Sequence, residues 1–284
     1  MAIYSDILLT VDFDRTLTAP DSSIPQRNID AINYFIENGG VFTVNTGRSV
    51  PMYSSHLDQV PVNAPLLLYN GSAAYDRDKR AFTFATPIDL DMTATLRKAM
   101  ALLPGCAVEL QGQDAHYLFE PNEMWAKYNE HNGCPYAFCR LEDAPGPFLK
   151  FTIYGEFRDV TVADLYNGSD AELAVFDTIH ETLEEIFGDK CVVFRAAPRI
   201  IDVHARGVSK AKSARRLQQE LGRKILVCVG DGENDVTMMQ DADYAFCPGD
   251  AIIRDRFENV CNCAGGAVAD VIYKKIPEIL GIIA

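Results

Sequence analysis

The segment Gly230 to Met239 reads GDGENDVTMM and directly follows the apolar run Ile225 to Val229. An uncharged apolar run of about five residues that stops at polar residues is typical of a buried parallel strand. Asp231 and Asp235 offer carboxylate oxygens and Asn234 offers an amide, which are the hard oxygen donors that favour Mg²⁺ over zinc or copper. The full spacing of a calcium-binding EF-hand loop and its final Glu are absent, so that class is excluded.

Three other apolar runs end in the same way, with polar residues directly after the last apolar one. These runs extend from Ile7 to Val11, from Val41 to Val44 and from Leu66 to Tyr69. Ligands of open α/β sheets bind outside the carboxyl ends of the strands. We therefore expect polar residues from four strands to converge on one crevice, namely Asp12, Asp14, Thr46, Asn70 and Asp231.

Helical patterns connect these runs into βαβ units. One pattern contains Ile29, Ile32 and Phe35 at helical spacing and ends at two glycines, and a second begins at Ser209, a candidate N-cap. We predict an α/β protein with a doubly wound, Rossmann-like parallel sheet formed by residues 1–85 and 203–284. Residues 86–202 show shorter alternating segments and are predicted to form an inserted α+β domain.

Charge and composition restrict the partners. The 284 residues include 26 Lys and Arg and 40 Asp and Glu, a net charge of −14. Such an acidic surface repels phosphate backbones and anionic lipids, so we expect neither nucleic acid nor membrane as a partner. No apolar run reaches the roughly 18 residues that span a bilayer, and the N-terminus reads as a strand rather than a signal peptide. We expect a cytoplasmic protein, whose oligomeric state the sequence does not indicate.

The segment Asp12 to Thr16, DFDRT, places two carboxylates on either side of one residue. This pattern is typical either of a solvated turn or of an aspartyl nucleophile beside an acid–base group. An Asp with the ordinary pKa of about 3.9 is ionised at pH 7 and needs no activation to attack phosphorus. Two unit charges 4 Å apart repel by about 4 kcal/mol at an effective dielectric of about 20, so we expect a divalent cation to offset the repulsion.

Two further groups could bind phosphate. Thr46 and Gly47 supply a hydroxyl and an unobstructed backbone N–H, although a Thr-Gly-Arg tripeptide is also common in ordinary turns. Lys210 lies in the first turn of a predicted helix, where the macrodipole disfavours a cation by roughly 0.3 to 1 kcal/mol. Its alternative reading is an exposed surface lysine.

In chain order, DFDRTLT (12–18), NTGRS (45–49), GVSKAKS (207–213) and GDGENDVTMM (230–239) resemble the four motifs of the haloacid dehalogenase (HAD) superfamily. The closer resemblance is to its Cof-type subclass IIB sugar phosphatases, whose pattern YNGSAAYD at 69–76 also matches. In that branch the cap insertion lies between the second and third motifs. Residues 86–202 occupy this place, so the resemblance implies that they form the inserted α+β cap domain that selects the substrate.

The resemblance implies an enzyme, a Mg²⁺-dependent phosphatase that hydrolyses a sugar phosphate or similar small phosphorylated metabolite through an aspartyl-phosphate. It implies that Asp12 is the nucleophile and that Asp14 is the acid and base. Mg²⁺ would bind the Asp12 carboxylate, the Asp14 backbone carbonyl and Asp231, with Asp235 in a supporting position.

The other motif residues are implied to bind or support the phosphoryl group. The phosphate-binding set is Thr46, Gly47, Lys210 and Asn234, and the supporting set is Thr16 and Arg48. Arg15 stands where the family usually has Gly. Because Arg lacks the φ freedom of Gly, we expect Arg15 either to disturb the loop or to help bind an anionic substrate.

Two other functions stay open at this point. One is a phosphomutase of the same superfamily, and the other is a catalytically silent regulator that binds a phosphorylated metabolite. Retention of both Asp12 and Asp14 counts against the silent regulator, because binding alone needs no paired nucleophile and acid. A C-x5-R match at Cys134 and Arg140 lacks the glycines of a phosphate-binding loop and is rejected.

Overall fold

The computed structural model describes residues 2–103, 106–119, 123–154 and 170–282. The chain divides into two compact units. The first unit consists of Met1–Gly47, Leu57–Phe84 and Ser209–Ala284, and the second consists of Arg48–His56 and Ala85–Val208. Three stretches of the predicted cap, at 104–105, 120–122 and 155–169, lie outside the described residues.

Strands and helices alternate along much of the described chain. The strands are β1 (Ile7–Val11), β2 (Val41–Val44), β3 (Leu66–Leu68), β4 (Ala73–Asp76), β5 (Ala81–Ala85), β6 (Ala107–Gln111), β7 (His116–Leu118), β8 (Tyr136–Phe138), β9 (Lys150–Tyr154), β10 (Cys191–Ala197), β11 (Ile200–Ala205), β12 (Ile225–Val229), β13 (Tyr244–Pro248) and β14 (Glu258–Val260). The helices are α1 (Gln26–Glu37), α2 (Val50–Tyr53), α3 (Met92–Leu102), α4 (Glu123–His131), α5 (Asp170–Phe187), α6 (Lys210–Glu220), α7 (Val236–Asp241), α8 (Ala267–Asp270) and α9 (Ile276–Ile279).

The first unit is built on a parallel sheet with the strand order β14-β13-β12-β1-β2. Every residue of β1 and β2 is buried, as the uninterrupted apolar runs predict for strands covered on both faces. Helix α1 packs on α8, and α6 packs on α7. The predicted bounds of β1, β2 and β12 and the predicted N-cap at Ser209 are confirmed, the Ser209 hydroxyl accepting from the Lys212 backbone N–H at 3.2 Å.

The third apolar run differs from the expectation of a parallel strand. Strand β3 pairs with β4 in an antiparallel ladder, and its parallel contact with the end of β2 is one bridge between Asn45 and Leu67. The cause is the turn that follows, where Tyr69, Asn70 and Gly71 have φ of 52°, 52° and 91°. This left-handed turn reverses the chain directly after β3, so β4 runs antiparallel to β3. A parallel neighbour would need a longer crossover connection, usually a helix.

The second unit contains a six-stranded sheet with the order β10-β11-β9-β6-β7-β8. The apolar face of this sheet, which includes Leu110, Phe151 and Val203, packs in one cluster with residues of α3 and α5. The predicted boundary at 202/203 falls inside β11, because Val203 pairs with Phe151 of β9 and stays in this sheet. Within the described ranges, no helix is both long and apolar enough to span a bilayer.

Candidate active site

The carboxyl ends of three neighbouring strands bring the predicted residues of the first unit together. Val11 of β1 is in register with Val229 of β12, and the Asp12 backbone N–H donates to the Val229 carbonyl at 2.9 Å. On the other side of β1, the Asn45 N–H donates to the Val11 carbonyl at 2.8 Å. Asp12, Asn45 and the segment from Gly230 therefore leave the sheet at the same edge, as expected for parallel strands.

Lys210 lies at the centre of this edge. Its ammonium Nζ donates to Asp12 Oδ1 at 2.6 Å and to Asp235 Oδ1 at 2.7 Å, and only 1% of its side chain is exposed. Its backbone is held as well, because Asn45 Nδ2 donates to the Lys210 carbonyl at 3.0 Å. The reading of Lys210 as an exposed surface lysine is therefore wrong. A buried ammonium at the first turn of α6 is stabilised by the two carboxylates that surround it.

Asp235 joins Lys210 to the loop that follows β12. Its Oδ2 accepts from the backbone N–H groups of Asp231 and Gly232, both at 3.1 Å. A Cβ at Gly230 would lie 2.5 Å from the Asp235 Cβ, so only glycine fits this close approach. The loop folds around the Asp235 carboxylate, which leaves Oδ1 for the lysine.

Asp12, Asp231 and Asp235 form a buried acidic trio. Each offers one carboxylate oxygen, and these oxygens all lie within 4.8 Å of one another. The Thr16 hydroxyl donates to Asp231 Oδ1 at 3.2 Å, so Thr16 connects the loop after β1 to the loop after β12. Thr16 thus has the bracing contact expected of a supporting residue.

The electrostatics of the trio favour a bound cation. Burial raises the pKa of Asp12 well above its ordinary value; Lys210 opposes this, and the charges of Asp235, Asp231 and Asp14 add to it. Burial and the neighbouring Asp235 raise the pKa of Asp231 to about 7. Burial also opposes the charge on Lys210, but contact with Asp12 and Asp235 outweighs it and raises the pKa of the ammonium.

The donor set fits a hard divalent cation. Three carboxylates within 4.8 Å of one another repel each other, and one lysine supplies a single positive charge against them. Carboxylate oxygens are the ligands that Mg²⁺ takes in proteins. Burial is the main cause of the raised pKa values of Asp12 and Asp231, and a bound divalent cation would offset both this burial cost and the repulsion among the carboxylates.

The predicted phosphate-binding residues approach each other through Asn70. The Thr46 N–H donates to the Leu67 carbonyl at 2.9 Å, and the Asn70 N–H donates to the Thr46 carbonyl at 3.0 Å. A Cβ at Gly47 would lie 2.9 Å from Asn70 Oδ1, and Asn234 Nδ2 donates weakly to that same oxygen at 3.4 Å. Gly47 and Asn234 therefore both lie close to the amide oxygen of Asn70.

Asn45 and Asn70 contact the site, but they belong to neither the predicted phosphate-binding set nor the predicted supporting set. Asn45 Nδ2 donates to the Lys210 carbonyl, and Asn70 Oδ1 lies close to both Gly47 and Asn234. In the sequence, both residues come directly after a predicted strand. This position predicts that Asn70 lies near the other strand-end residues, but it does not predict which of them Asn70 contacts.

Asp14 and Arg15 lie next to each other in the loop after β1. Asp14 is half-buried, whereas Arg15 is exposed and has φ of 58° and ψ of 9°. The Arg15 backbone N–H donates to the Thr18 hydroxyl at 3.1 Å. The loop thus places an arginine in the left-handed region that favours glycine, at a cost of about 1 to 2 kcal/mol.

Arg48 belongs to the other unit. It begins the short segment Arg48–His56 of the second unit, and within that segment its guanidinium Nη1 donates to the Met52 carbonyl at 3.4 Å. Its supporting role in phosphate binding stays a prediction.

Known proteins resemble this chain over most of its length. A family model of haloacid dehalogenase-like hydrolases matches residues 9–263. The 5-amino-6-(5-phospho-D-ribitylamino)uracil phosphatase YcsE of Bacillus subtilis is 22% identical over 247 residues, which cover 86% of this chain and 84% of that protein. A haloacid dehalogenase-like hydrolase from Bacteroides thetaiotaomicron has a similar structure, with a TM-score of 0.78, 18% identity and coverage of 96% of this chain and 99% of that chain.

A second solved structure extends the likeness. The HAD subclass IIB sugar phosphatase BT4131 has a TM-score of 0.75 and 18% identity, and the match covers 97% of this chain and 99% of that chain. At such identities the likeness concerns the fold, and it confirms the predicted fold class.

Proposed function

Because the chain belongs to the haloacid dehalogenase-like hydrolases, we propose that it is a Mg²⁺-dependent phosphatase that hydrolyses small phosphomonoesters through an aspartyl-phosphate on Asp12. The observation that carries this proposal is the buried contact of Lys210 with Asp12 and Asp235, beside a third carboxylate. A nucleophile, a fixed cation and a set of metal ligands are thereby assembled at one edge of the sheet.

In the first step an Asp12 carboxylate oxygen attacks phosphorus, and the bond between phosphorus and the ester oxygen breaks. Asp14 donates its proton to that oxygen, which leaves as the alcohol. Lys210 orients the Asp12 carboxylate and favours its ionised form against the burial that opposes it. Preorganised charges of this kind supply most of the rate enhancement in phosphoryl transfer.

In the second step Asp14, now ionised, takes a proton from water, whose oxygen attacks the phosphorus of the phosphoaspartate. The bond between phosphorus and the Asp12 oxygen breaks, orthophosphate leaves, and the free carboxylate is restored. One residue thus acts first as acid and then as base, which fits the half-buried position of Asp14.

Mg²⁺ would be held by Asp12, Asp231 and the Asp14 carbonyl, with Asp235 in support, and would supply positive charge that screens the anionic ester from the carboxylates. Thr46, the Gly47 amide and Asn234 would hold the phosphoryl oxygens together with Lys210. The contacts of Gly47 and Asn234 with Asn70 support this assignment, because they place an N–H donor and an amide next to each other.

The substrate we propose is a phosphorylated polyol or sugar. The support is the activity for which YcsE is named, since the substrate in that name carries a phosphoribityl group. The test panel therefore contains a pentitol phosphate, hexose phosphates, a nucleoside monophosphate and p-nitrophenyl phosphate.

The experiment is phosphate release from this panel with Mg²⁺ and with EDTA. Wild type is compared with Asp12→Asn and with Asp58→Asn, a control that exchanges an exposed Asp of the same unit. We expect release by wild type and by the control only with Mg²⁺, and none by Asp12→Asn. Release that persists in Asp12→Asn would refute the role of that residue. Folded, Mg²⁺-binding wild type that releases nothing would favour the phosphomutase or the silent binder.

A further inference from the structure

Asn45 connects three elements of the first unit at the sheet edge that carries the candidate site. It directly follows β2, it is 0% exposed, and its backbone N–H donates to the Val11 carbonyl of β1 at 2.8 Å. Its side-chain Nδ2 lies 3.0 Å from the Lys210 carbonyl oxygen of α6 and 3.3 Å from Met238 Sδ of α7. One asparagine thus joins β1, through its backbone, to two helices, through its amide.

The surroundings of the Asn45 amide fix its orientation. With the amide reversed, Oδ1 would face the Lys210 carbonyl oxygen at 3.0 Å, and two acceptors at this distance repel each other. Nδ2 is therefore the atom that donates to Lys210. Asn45 Oδ1 then has no hydrogen-bond partner among the residues that the structure describes. Because a buried polar atom without a partner costs stability, an asparagine at this position is a poor choice for stability alone.

The Lys210 carbonyl does not depend on Asn45 for a partner. The Ser213 hydroxyl donates to the same carbonyl at 3.0 Å from within α6. Ser213 moves together with Lys210, because both belong to one helix, whereas Asn45 is bonded to β1. The bond from Asn45 therefore adds a connection between the sheet and the first turn of α6. We call this bond, from Asn45 Nδ2 to the Lys210 carbonyl, the tether.

The tether and the acidic groups hold Lys210 at both ends. Its carbonyl accepts from Asn45, and its ammonium donates to Asp12 and Asp235. A lysine side chain is a flexible stem, so its ammonium is well placed only when its backbone is fixed as well. Asp12 directly follows the residue whose carbonyl accepts from the Asn45 N–H. The contacts therefore close a ring that runs through Val11, Asn45, Lys210 and Asp12.

We propose that Asn45 is a positioning residue, which holds the backbone of Lys210 so that its ammonium stays set between Asp12 and the phosphoryl group. The inference rests on the proposed function, because that function assigns Lys210 to the phosphoryl oxygens. Loss of the tether lowers kcat, since the positive charge of Lys210 acts most strongly on the transition state. The loss of stability stays small, because the variant also removes a buried oxygen that lacks a partner.

The kinetic test compares wild type with Asn45→Ala and Asn45→Val, which both lack the amide, on p-nitrophenyl phosphate with saturating Mg²⁺. Thr43→Val is the matched control. Thr43 lies in β2, is 0% exposed, and its hydroxyl donates to the Pro65 carbonyl at 2.7 Å, so this variant loses one buried bond to a backbone carbonyl without touching Lys210. Ser213→Ala removes the other bond to the Lys210 carbonyl and leaves the tether. Thermal unfolding of every variant is measured alongside.

We expect both Asn45 variants to lower kcat by about three- to tenfold, the factor that the loss of one hydrogen bond gives, with KM within about twofold of wild type. Their Tm should fall no more than that of Thr43→Val. Thr43→Val and Ser213→Ala should keep kcat within about twofold of wild type. An unchanged kcat in the Asn45 variants, or an equal fall of kcat in Thr43→Val, would overturn the inference.

Chemical labelling tests the tether without any need for activity. Lys210 is 1% exposed, whereas Lys212 on the same helix is exposed and serves as the internal reference for acetylation by acetic anhydride, followed by mass spectrometry. Relative to Lys212, we expect Lys210 to react about three- to tenfold faster in Asn45→Ala than in wild type or Thr43→Val. Equal rates in the three proteins would overturn the inference. An inactive wild type would refute the proposed function, and the labelling would still decide whether Asn45 positions Lys210.

Discussion

The pH dependence of stability without metal follows from the burial of Asp231. Its pKa is raised to about 7, compared with about 3.9 for Asp in an unfolded chain. The folded state therefore binds more protons than the unfolded state between these values. The stabilisation is fully present below pH 4 and is lost as the pH rises through 7.

The magnitude follows from the same two values. They differ by about three pH units at about 1.4 kcal/mol each, so complete ionisation of Asp231 lowers the free energy of unfolding by about 4 kcal/mol. About 3 kcal/mol of this loss falls between pH 5 and pH 8. Asp231 is only 8% exposed, so solvent screens little of the effect.

The assay is urea unfolding in EDTA from pH 5 to pH 8, with Asp231→Asn as the matched variant. Circular dichroism is the suitable probe, because the single tryptophan, Trp125, lies in the second unit. We expect the wild-type free energy of unfolding to fall over this range by about 3 kcal/mol more than that of Asp231→Asn. Mg²⁺ should restore wild type more at pH 8 than at pH 5, since its ligands must be deprotonated. Parallel curves for the two proteins would refute this account of the site.

Three further experiments test other parts of the structure. Gly71→Ala should lower the free energy of unfolding by about 2 kcal/mol or more, because φ at Gly71 is +91° and the new Cβ would lie 2.4 Å from the Ser209 carbonyl oxygen. Gly222→Ala is the control, because φ there is +61° but the space around it is open, and it should cost about 1 kcal/mol. Equal losses of stability in thermal unfolding would contradict the steric argument. Arg15→Gly should raise the free energy of unfolding by up to about 1 kcal/mol in urea, because relief of the left-handed cost of about 1 to 2 kcal/mol is partly offset by the larger unfolded-state entropy of glycine, about 0.5 to 1 kcal/mol. Arg15→Val should lose more than about 1 kcal/mol, because a β-branched residue tolerates a φ of 58° poorly. Asp14→Asn should lower kcat for an alkyl phosphate by about 10² to 10⁴ with little change in Tm, and a kcat near wild type would exclude Asp14 as the acid and base.

Much of the site was predictable from sequence because its signals are local. Apolar runs fix β1, β2 and β12, and polar residues directly after a strand lie at one sheet edge. The convergence of Asp12 and Asp231 at this edge was therefore predictable without coordinates, while their roles stay predictions. The predicted HAD family is confirmed.

The burial of Lys210 was not predictable in this way. Its two carboxylate partners, Asp12 and Asp235, are 198 and 25 residues away along the chain. Taken alone, a lysine in the first turn of a helix is unfavourable for the helix dipole and reads as an exposed surface residue. The antiparallel pairing of β3 with β4 depends on three consecutive residues with positive φ, from Tyr69 to Gly71, two of which are not glycine. Tertiary contacts decide both features.

The same distinction applies to the second unit. The alternation of polar and apolar residues predicted its strands, but pairing across the sheet assigns all of β11 to this unit beyond residue 202. The buried contact of Ser49 with His116 joins residues 67 positions apart and left no signal in either segment. The cytoplasmic location and the identity of Mg²⁺ stay predictions.

The most direct test of the central claim is mass spectrometry of the acid-quenched Asp14→Asn protein after reaction with p-nitrophenyl phosphate and Mg²⁺. Nitrophenolate leaves without a proton from Asp14, but hydrolysis of the phosphoenzyme lacks its base, so the covalent intermediate should accumulate. We predict one added phosphoryl group, on the peptide that contains Asp12, and none in the Asp12→Asn/Asp14→Asn double variant. Nitrophenolate release with no adduct, or an adduct on another residue, would contradict Asp12 as the nucleophile.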